Sequence, residues 1–579
     1  MRKIVGFIKS VCTVLGAMVL ICGISAALIR FYNGKAIEIP EHTMLMIDFG
    51  HNFGEAQTDS LLNELLDRQG MSFTSLIQSI EMAAEDDRID GIVARIDVSG
   101  LELAQIQDVA RSVELFKQSG KKTYVFSQGF GPFGQGNREY YLATFFDKIY
   151  MQPHTYIGLT GIGMELPFAR DILDKIGIYP EYYTRYEYKT AMMSFTDKNI
   201  SAPYKAEMTR LGNSLMNELK KGIWQNRDIA ASPETVINQA PLSAEEGKKL
   251  NLIDDVLYLP QVEKLIKEEG AENFVAVEDY ATQIRPNEGD LPAIAILNLS
   301  GIIDSGENST DFDGEFTIGS KSVLADLADI EDIENLKAVV VRIDSPGGSY
   351  NAADEIYFAL KDLKKNKNVP IIVSQSGYAA SGGYFISLAG DVIIAEPTTI
   401  TGSIGVLGGK FVLQELWQKL GVEWANIKIG QNADILSVNK PFTAEERQIF
   451  NASLDEVYRD FTQKVVENRP LKQNIDKIAR GRVWTGQEAL ELGLVDMLGG
   501  LSQAITVARD KGGIVKGEKF KIVSFPREKS FSDKIRELLV QSKINVTDVV
   551  AQSGVDIRYL KLFKRLQYDT VLTPFEIKM

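Results

Sequence analysis

Ser381 sits in the stretch Gly377-Tyr-Ala-Ala-Ser-Gly-Gly-Tyr-Phe-Ile-Ser387, a single small hydroxyl in a glycine-rich turn after an apolar run. Two kinds of chemistry suit it. Its oxygen can cap the helix that follows by accepting from the first free N–H groups, or it can attack a carbonyl carbon once a base takes its proton. Histidine is the usual base, but the only histidines are His42, His51 and His154, all before Ser381. The α/β-hydrolase order, serine first and histidine later, is therefore excluded. The local frame, Ala379-x-Ser381-x-Gly383, also departs from Gly-x-Ser-x-Gly. A chymotrypsin-like order would need His154 or an earlier histidine, but the chain's alternating βαβ pattern contradicts that double-barrel fold, so a lysine remains as the base. It must be neutral to work, and lowering its pKa from about 10.4 by about 3 units takes about 4 kcal/mol, which desolvation can supply.

The elements around Ser381 alternate short β-branched runs with helical stretches. "IAILNLSG", "AVVVRID", "IIVSQS" and "VIIAE" read as strands, and 322–335, 351–366 and 382–390 as the helices between them. Continuous apolar strands joined through helices imply right-handed βαβ crossovers and parallel sheets covered on both faces. The pattern occurs twice. Residues 75–97 align without a gap to 322–344 at an offset of 247, placing Arg95-Ile96-Asp97 on Arg342-Ile343-Asp344. Residues 140–163 align to 384–407 at an offset of 244, so three extra residues lie in the first copy's "GFGPFGQGN". Two α/β domains related by duplication follow, 41–283 and 292–526, with the Pro- and Gly-containing link "IRPNEGDLP" between them.

The copies differ where chemistry would lie. Asn137 stands in the first copy where Ser381 stands in the second. Conversely, Lys189 in "YEYKTAMM" meets Gln431 or Asn432 in the second copy. Complementary losses are expected when one site draws its serine from one copy and its lysine from the other. Most lysines are solvated surface groups, but Lys189 is flanked by Tyr188, Ala191, Met192 and Met193. These can exclude water once packed against the second domain, whereas Glu187 would oppose a lowered pKa if it faced inward.

"RIDSPGG" (342–348), the Ser381 turn, "TGSIGV" (401–406) and "YKTA" (188–191), together with the duplication, make the chain similar to the signal peptide peptidase A (protease IV) family in its long, duplicated, membrane-anchored form. The resemblance extends from the N-terminus to about residue 526. It implies two tandem domains of the Clp protease/crotonase-like fold and a Ser-Lys dyad, with Ser381 as nucleophile and Lys189 as general base. It further implies that the Ser403 hydroxyl orients the lysine and that the Gly348 and Gly382 N–H groups form an oxyanion hole. Leu159 replaces Ser403 in the first copy. The substrates so implied are cleaved signal peptides and other extended apolar peptides, the assembly is a homotetramer, and no cofactor is called for. A crotonase-like acyl-CoA enzyme and a non-catalytic membrane scaffold are the competing readings. Neither would need Ser381 or Lys189.

Residues 11–29 carry no charge, and those 19 residues are long enough to cross a hydrocarbon core as a helix. A transmembrane anchor over 11–30 is expected to sit in the lipid bilayer. Arg2, Lys3 and Lys9 would keep residues 1–10 cytoplasmic. With the family resemblance, this puts the chain in the bacterial inner membrane with its catalytic domains on the periplasmic side. The net charge of −15 argues against a nucleic-acid partner. Cys12 and Cys22, the only cysteines, lie within the apolar segment and leave no Cys-based metal site elsewhere. "GFGPFG" (129–134) formally matches a dinucleotide fingerprint, but Pro132 interrupts it and the repeat makes it the altered counterpart of the serine turn. The tail, 527–579, contains the amphipathic stretch "DKIRELLVQSK" and carries no assigned role.

Overall fold

Runs of aliphatic and β-branched residues, such as Leu336–Ser345 and Ile371–Ala380, are buried almost throughout and form the centre of a sheet covered on both faces. The computed structural model describes residues 38–55, 70–131, 134–283, 290–310 and 316–527. In the first half, the sheet runs Asp255–Val256, Lys148–Met151, Lys122–Ser127, Ile89–Arg95, Thr43–Asp48, Asn273–Ala276, every neighbour parallel. The second half repeats this order with Met497–Leu498, Val392–Ala395, Ile371–Ala380, Leu336–Ser345, Ala293–Ser300 and Lys521–Phe525, again all parallel. It adds Ile400–Gly402 beside Ile371–Ala380, and Val483–Thr485 antiparallel to Ile400–Gly402.

Helices cover the sheets where polar caps permit them to start. Ser72 Oγ accepts from Ser75 N at 3.1 Å to open Phe73–Glu85. Ser349 does the same for Tyr350–Lys367. Leu103–Gln118 differs, because it buries polar as well as apolar residues, including Gln105, Gln107, Asp108 and Ser112. Two of them face the second half: Gln107 Oε1 accepts from Thr398 Oγ1 at 2.7 Å, and Asp108 accepts from Leu501 N at 2.9 Å.

Arg342 joins the halves from the other side. Its guanidinium, 1% exposed, meets Glu55 at 2.7 Å and Asp108 at 3.0 Å and donates to Ser374 Oγ and Ser376 Oγ. Burial, the largest single influence, would raise the Glu55 carboxyl, but the Arg342 charge together with hydrogen bonds from Arg342, Ser376 and Gln105 outweighs it and holds Glu55 below its usual range. The counterpart Arg95 pairs with Asp97 at the surface. The same residue in the two copies is thus a junction in one and a solvated ion pair in the other.

Among the described residues no helix is long and apolar enough to cross a membrane. The expected span, 11–30, lies outside them, as do 528–579 and part of "GFGPFG".

Candidate active site

Ser381 ends the strand Ile371–Ala380 and precedes the helix Gly382–Ser387. It adopts φ 55°, ψ −113°, a conformation that costs a non-glycine residue about 1–3 kcal/mol and persists only where its surroundings enforce it. Here its N–H donates to Gly402 O at 2.8 Å and its carbonyl accepts from Phe385 N at 2.9 Å. Ser381 occupies the N-cap position, but its side chain makes no cap bond. The hydroxyl instead accepts from Lys189 Nζ at 2.7 Å.

Lys189 reaches this point because the strand Tyr179–Arg185 of the first half pairs antiparallel with Val406–Val412 of the second, from Val406 opposite Arg185 to Val412 opposite Tyr179. Four residues beyond that strand, Lys189 enters the second half's core and is 2% exposed. Nζ donates to Ser403 O and Ser403 Oγ, both at 3.0 Å, as well as to Ser381. Glu187 faces away and pairs with Arg480 at 3.0 Å. With no carboxylate opposing it, burial pulls the Lys189 ammonium down to about 7. A neutral amine 2.7 Å from a hydroxyl can take its proton, which is the requirement for general-base activation.

Ser403 follows the strand Ile400–Gly402 at φ 51°, held by its N–H donating to Arg482 O at 2.7 Å. Gly348 and Gly382 lie side by side: a Cβ on Gly382 would stand 3.3 Å from Gly348 N. Gly348 is bounded by Ile303, whose carbonyl would be 1.9 Å from any Cβ placed there. No acceptor among the described residues takes the Gly348 N–H, and Gly382 opens its helix, where N–H groups lack intrahelical partners. All five residues singled out from the sequence, Ser381, Lys189, Ser403, Gly348 and Gly382, thus belong to one neighbourhood.

Sequence reasoning missed Gly481. Its φ is +88°, and a Cβ there would lie 2.4 Å from Lys189 N and 2.6 Å from Lys189 Cα. Gly481 N also donates to Ile404 O at 2.8 Å, and Tyr188 N to Arg480 O, so residues 480–482 splice the lysine segment to the Ser403 segment. Nothing in "ARGRVW" signals this, because the requirement is set by a backbone nearly 300 residues away.

The corresponding place in the first half is filled. Asn137 is fully buried and closes on Gly161, donating Nδ2 to its carbonyl at 2.8 Å and accepting from its N–H at 3.1 Å. Leu159, where Ser403 would be, is buried.

Comparison with known proteins identifies the family. The pattern of peptidase family S49 matches residues 105–272 and 363–514, and that of Clp protease matches 316–399. The chloroplastic serine protease SPPA of Arabidopsis thaliana is 30% identical over 526 residues, covering 87% of this chain and 76% of that protein. Protease 4 of Haemophilus influenzae is 29% identical over 458 residues, covering 76% of this chain and 72% of that one. Protease 4 of Salmonella typhi is 27% identical over 502 residues, 84% and 78% of the two chains. By the extent of these matches, the chain belongs to peptidase family S49 and is a serine peptidase.

Proposed function

We propose that this serine peptidase is a membrane-anchored endopeptidase that degrades cleaved signal peptides and other extended apolar peptides with a Ser-Lys dyad. The observation that carries this reading is the buried 2.7 Å contact between Lys189 Nζ and Ser381 Oγ. Neutral Lys189 takes the Ser381 proton as Oγ attacks the peptide carbonyl. It returns that proton to the leaving amine, then deprotonates the water that hydrolyses the acyl-enzyme. Ser403 orients the amine. The N–H groups of Gly348 and Gly382 receive the oxyanion, a contribution of roughly 100-fold or more per donor. An extended peptide adds as a strand beside Ser381, its main chain supplying affinity.

Residues 11–30 anchor the chain in the bacterial inner membrane and place both halves on the periplasmic side, where copies form a homotetramer. A crotonase-like reading gains nothing from a lysine held on a serine.

The test uses Ser381→Ala and Lys189→Ala in the full chain, assayed on a fluorogenic apolar peptide and on a synthetic signal peptide. Each variant is expected to lose about 1,000-fold or more in rate. Undiminished hydrolysis in either overturns the dyad. Native chain that cleaves the fluorogenic peptide but spares the signal peptide overturns the substrate assignment.

A further inference from the structure

Two tyrosines lead into the base, and two arginines answer them from the other half. Tyr186 and Tyr188 precede Lys189 in "YEYK", while Arg480 and Arg482 bracket Gly481 in "RGR". Arg480 Cζ stands 4.5 Å from the centroid of the Tyr186 ring, and Arg482 Cζ stands 3.9 Å from that of Tyr188. At these distances each guanidinium lies on the ring face, where the aromatic quadrupole attracts a cation. Gly481, between the two rungs, rests on the base itself: a Cβ there would stand 2.7 Å from Lys189 Cβ. The rungs are also tied at their far ends. Tyr186 packs edge-on to Tyr458, with centroids 5.2 Å apart, and Arg480 pairs with Glu187 at 3.0 Å. Arg482 Nη1 donates to Ala479 O at 3.2 Å, and its carbonyl accepts from Ser403 N at 2.7 Å. Arg482 therefore touches Tyr188 with its side chain and Ser403 with its backbone. One residue holds both the neighbour of the base and the serine that accepts from it.

The repeat shows that the rungs are not a general feature of the fold. Thr485 and Ser243 both cap a helix through a capping box, with Glu488 and Glu246, and stand 242 residues apart. At that offset 480–482 correspond to 238–240, which read Asn-Gln-Ala. The segment facing "YEYK" in the second copy, 428–431, reads Lys-Ile-Gly-Gln. Arginine and tyrosine meet in this way beside Lys189, and the equivalent positions of the other copy carry neither residue type.

We propose that Arg480 and Arg482 are positioning residues for the peptidase reaction: stacked on Tyr186 and Tyr188, they close residues 480–482 over the Lys189 backbone and keep water from its amine. Exclusion of water is what holds the amine neutral, since desolvation is the cause of its lowered pKa. The charged groups in the segments around it are Glu187, Arg480 and Arg482, with Glu207 and Arg210 bonded to Val483 behind them. The Ser381 and Ser403 turns carry no charge. Loss of the Arg482 rung admits water. Loss of the Arg480 rung admits water and also frees the Glu187 carboxylate, and both changes favour the ammonium.

This inference rests on Lys189 as the base. The test is the pH dependence of kcat/KM on a fluorogenic apolar peptide, with the full chain in detergent. Arg482→Leu is expected to move the midpoint of the rise up from about 7 by about one pH unit, so that the rate at pH 7 falls about tenfold. The rate should recover to within about two-fold of native by about pH 9.5, with KM changed by less than about two-fold. Arg480→Leu and Tyr188→Leu should shift the midpoint in the same direction, whereas Tyr188→Phe, which keeps the ring face, should leave it in place. Arg482→Leu with Tyr188→Leu should shift it no further than either alone, because both remove the same rung. A loss that is equal at every pH, or an unmoved midpoint, overturns the proposal, and so do additive shifts in the double variant. Arg482→Lys keeps the stem and the charge and so guards against misfolding; it should still raise the midpoint, and a native profile in that variant overturns the role of the planar group. A native chain whose rate shows no rise near pH 7 overturns the lysine base and this inference together. A native rise that the variants leave in place overturns this inference alone.

Discussion

Replacing Lys189 with methionine, which is of similar length but uncharged, separates what the lysine does for the reaction from what it costs the fold. Burial takes Lys189 from 10.5 down to about 7. That gap corresponds to about 5 kcal/mol at about 1.36 kcal/mol per pH unit. Because the folded-state value is the lower one, the unfolded chain binds more protons between about pH 7 and 10.5, and native stability rises with pH across that window. The penalty is complete below pH 7 and is gone above about 10.5. Methionine has no such dependence, but it gives up the bonds to Ser381 Oγ, Ser403 O and Ser403 Oγ. Leaving those buried oxygens short of a donor costs about 1–3 kcal/mol. Lys189→Met should therefore be more stable than the native chain by about 2–4 kcal/mol at pH 6–7, with the advantage shrinking by about 1.4 kcal/mol per pH unit and vanishing near about pH 9. Urea unfolding of both full chains in detergent at pH 6, 8 and 10 measures this, since every other titrating group appears in both and cancels in the difference. A difference that is flat with pH, or that grows as pH rises, would refute the reasoning. Lys189 would then carry an ordinary charge in the folded state.

Peptide hydrolysis by the native chain should rise about tenfold per pH unit below pH 7 and level off above it, because only neutral Lys189 takes the serine proton. A rate that falls above neutral pH while the protein stays folded counts against the lysine base. Gly481→Ala should lower kcat/KM by about 100-fold, since its methyl group would displace the Lys189 backbone and misplace the amine by a fraction of an ångström or more. Unaltered kinetics in that variant would show that the lysine segment is positioned without it.

Much of the fold was legible because it depends on local pattern. Strands such as "AVVVRID" are continuous apolar runs, and the duplication predicted two like α/β domains. Six strands run in the same order in both halves, and the second sheet adds two more. The helix expected over 382–390 ends at Ser387 because Leu388, Ala389 and Gly390 close tighter turns on Phe385, Ile386 and Ser387. Whether Ser381 caps its helix was open in the sequence. The structure turns its hydroxyl to Lys189 instead, because φ 55° carries the side chain away from the helix axis. Nor could the sequence tell that Arg342 and Arg95, aligned in the repeat, would differ in burial. That depends on Glu55 and Asp108 arriving from the other half.

The sequence by itself determined the duplication, the parallel α/β halves, and the complementary residues Ser381 and Lys189, because these rest on residue type and on spacing within each copy. Only the tertiary structure decided that the two residues meet. That contact spans 192 residues and depends on an antiparallel pairing between halves, on two serines held at positive φ, and on Gly481 leaving room for a foreign backbone. A partner's backbone leaves no periodicity in the sequence it packs against, so this part of the site appears only when the chain is folded.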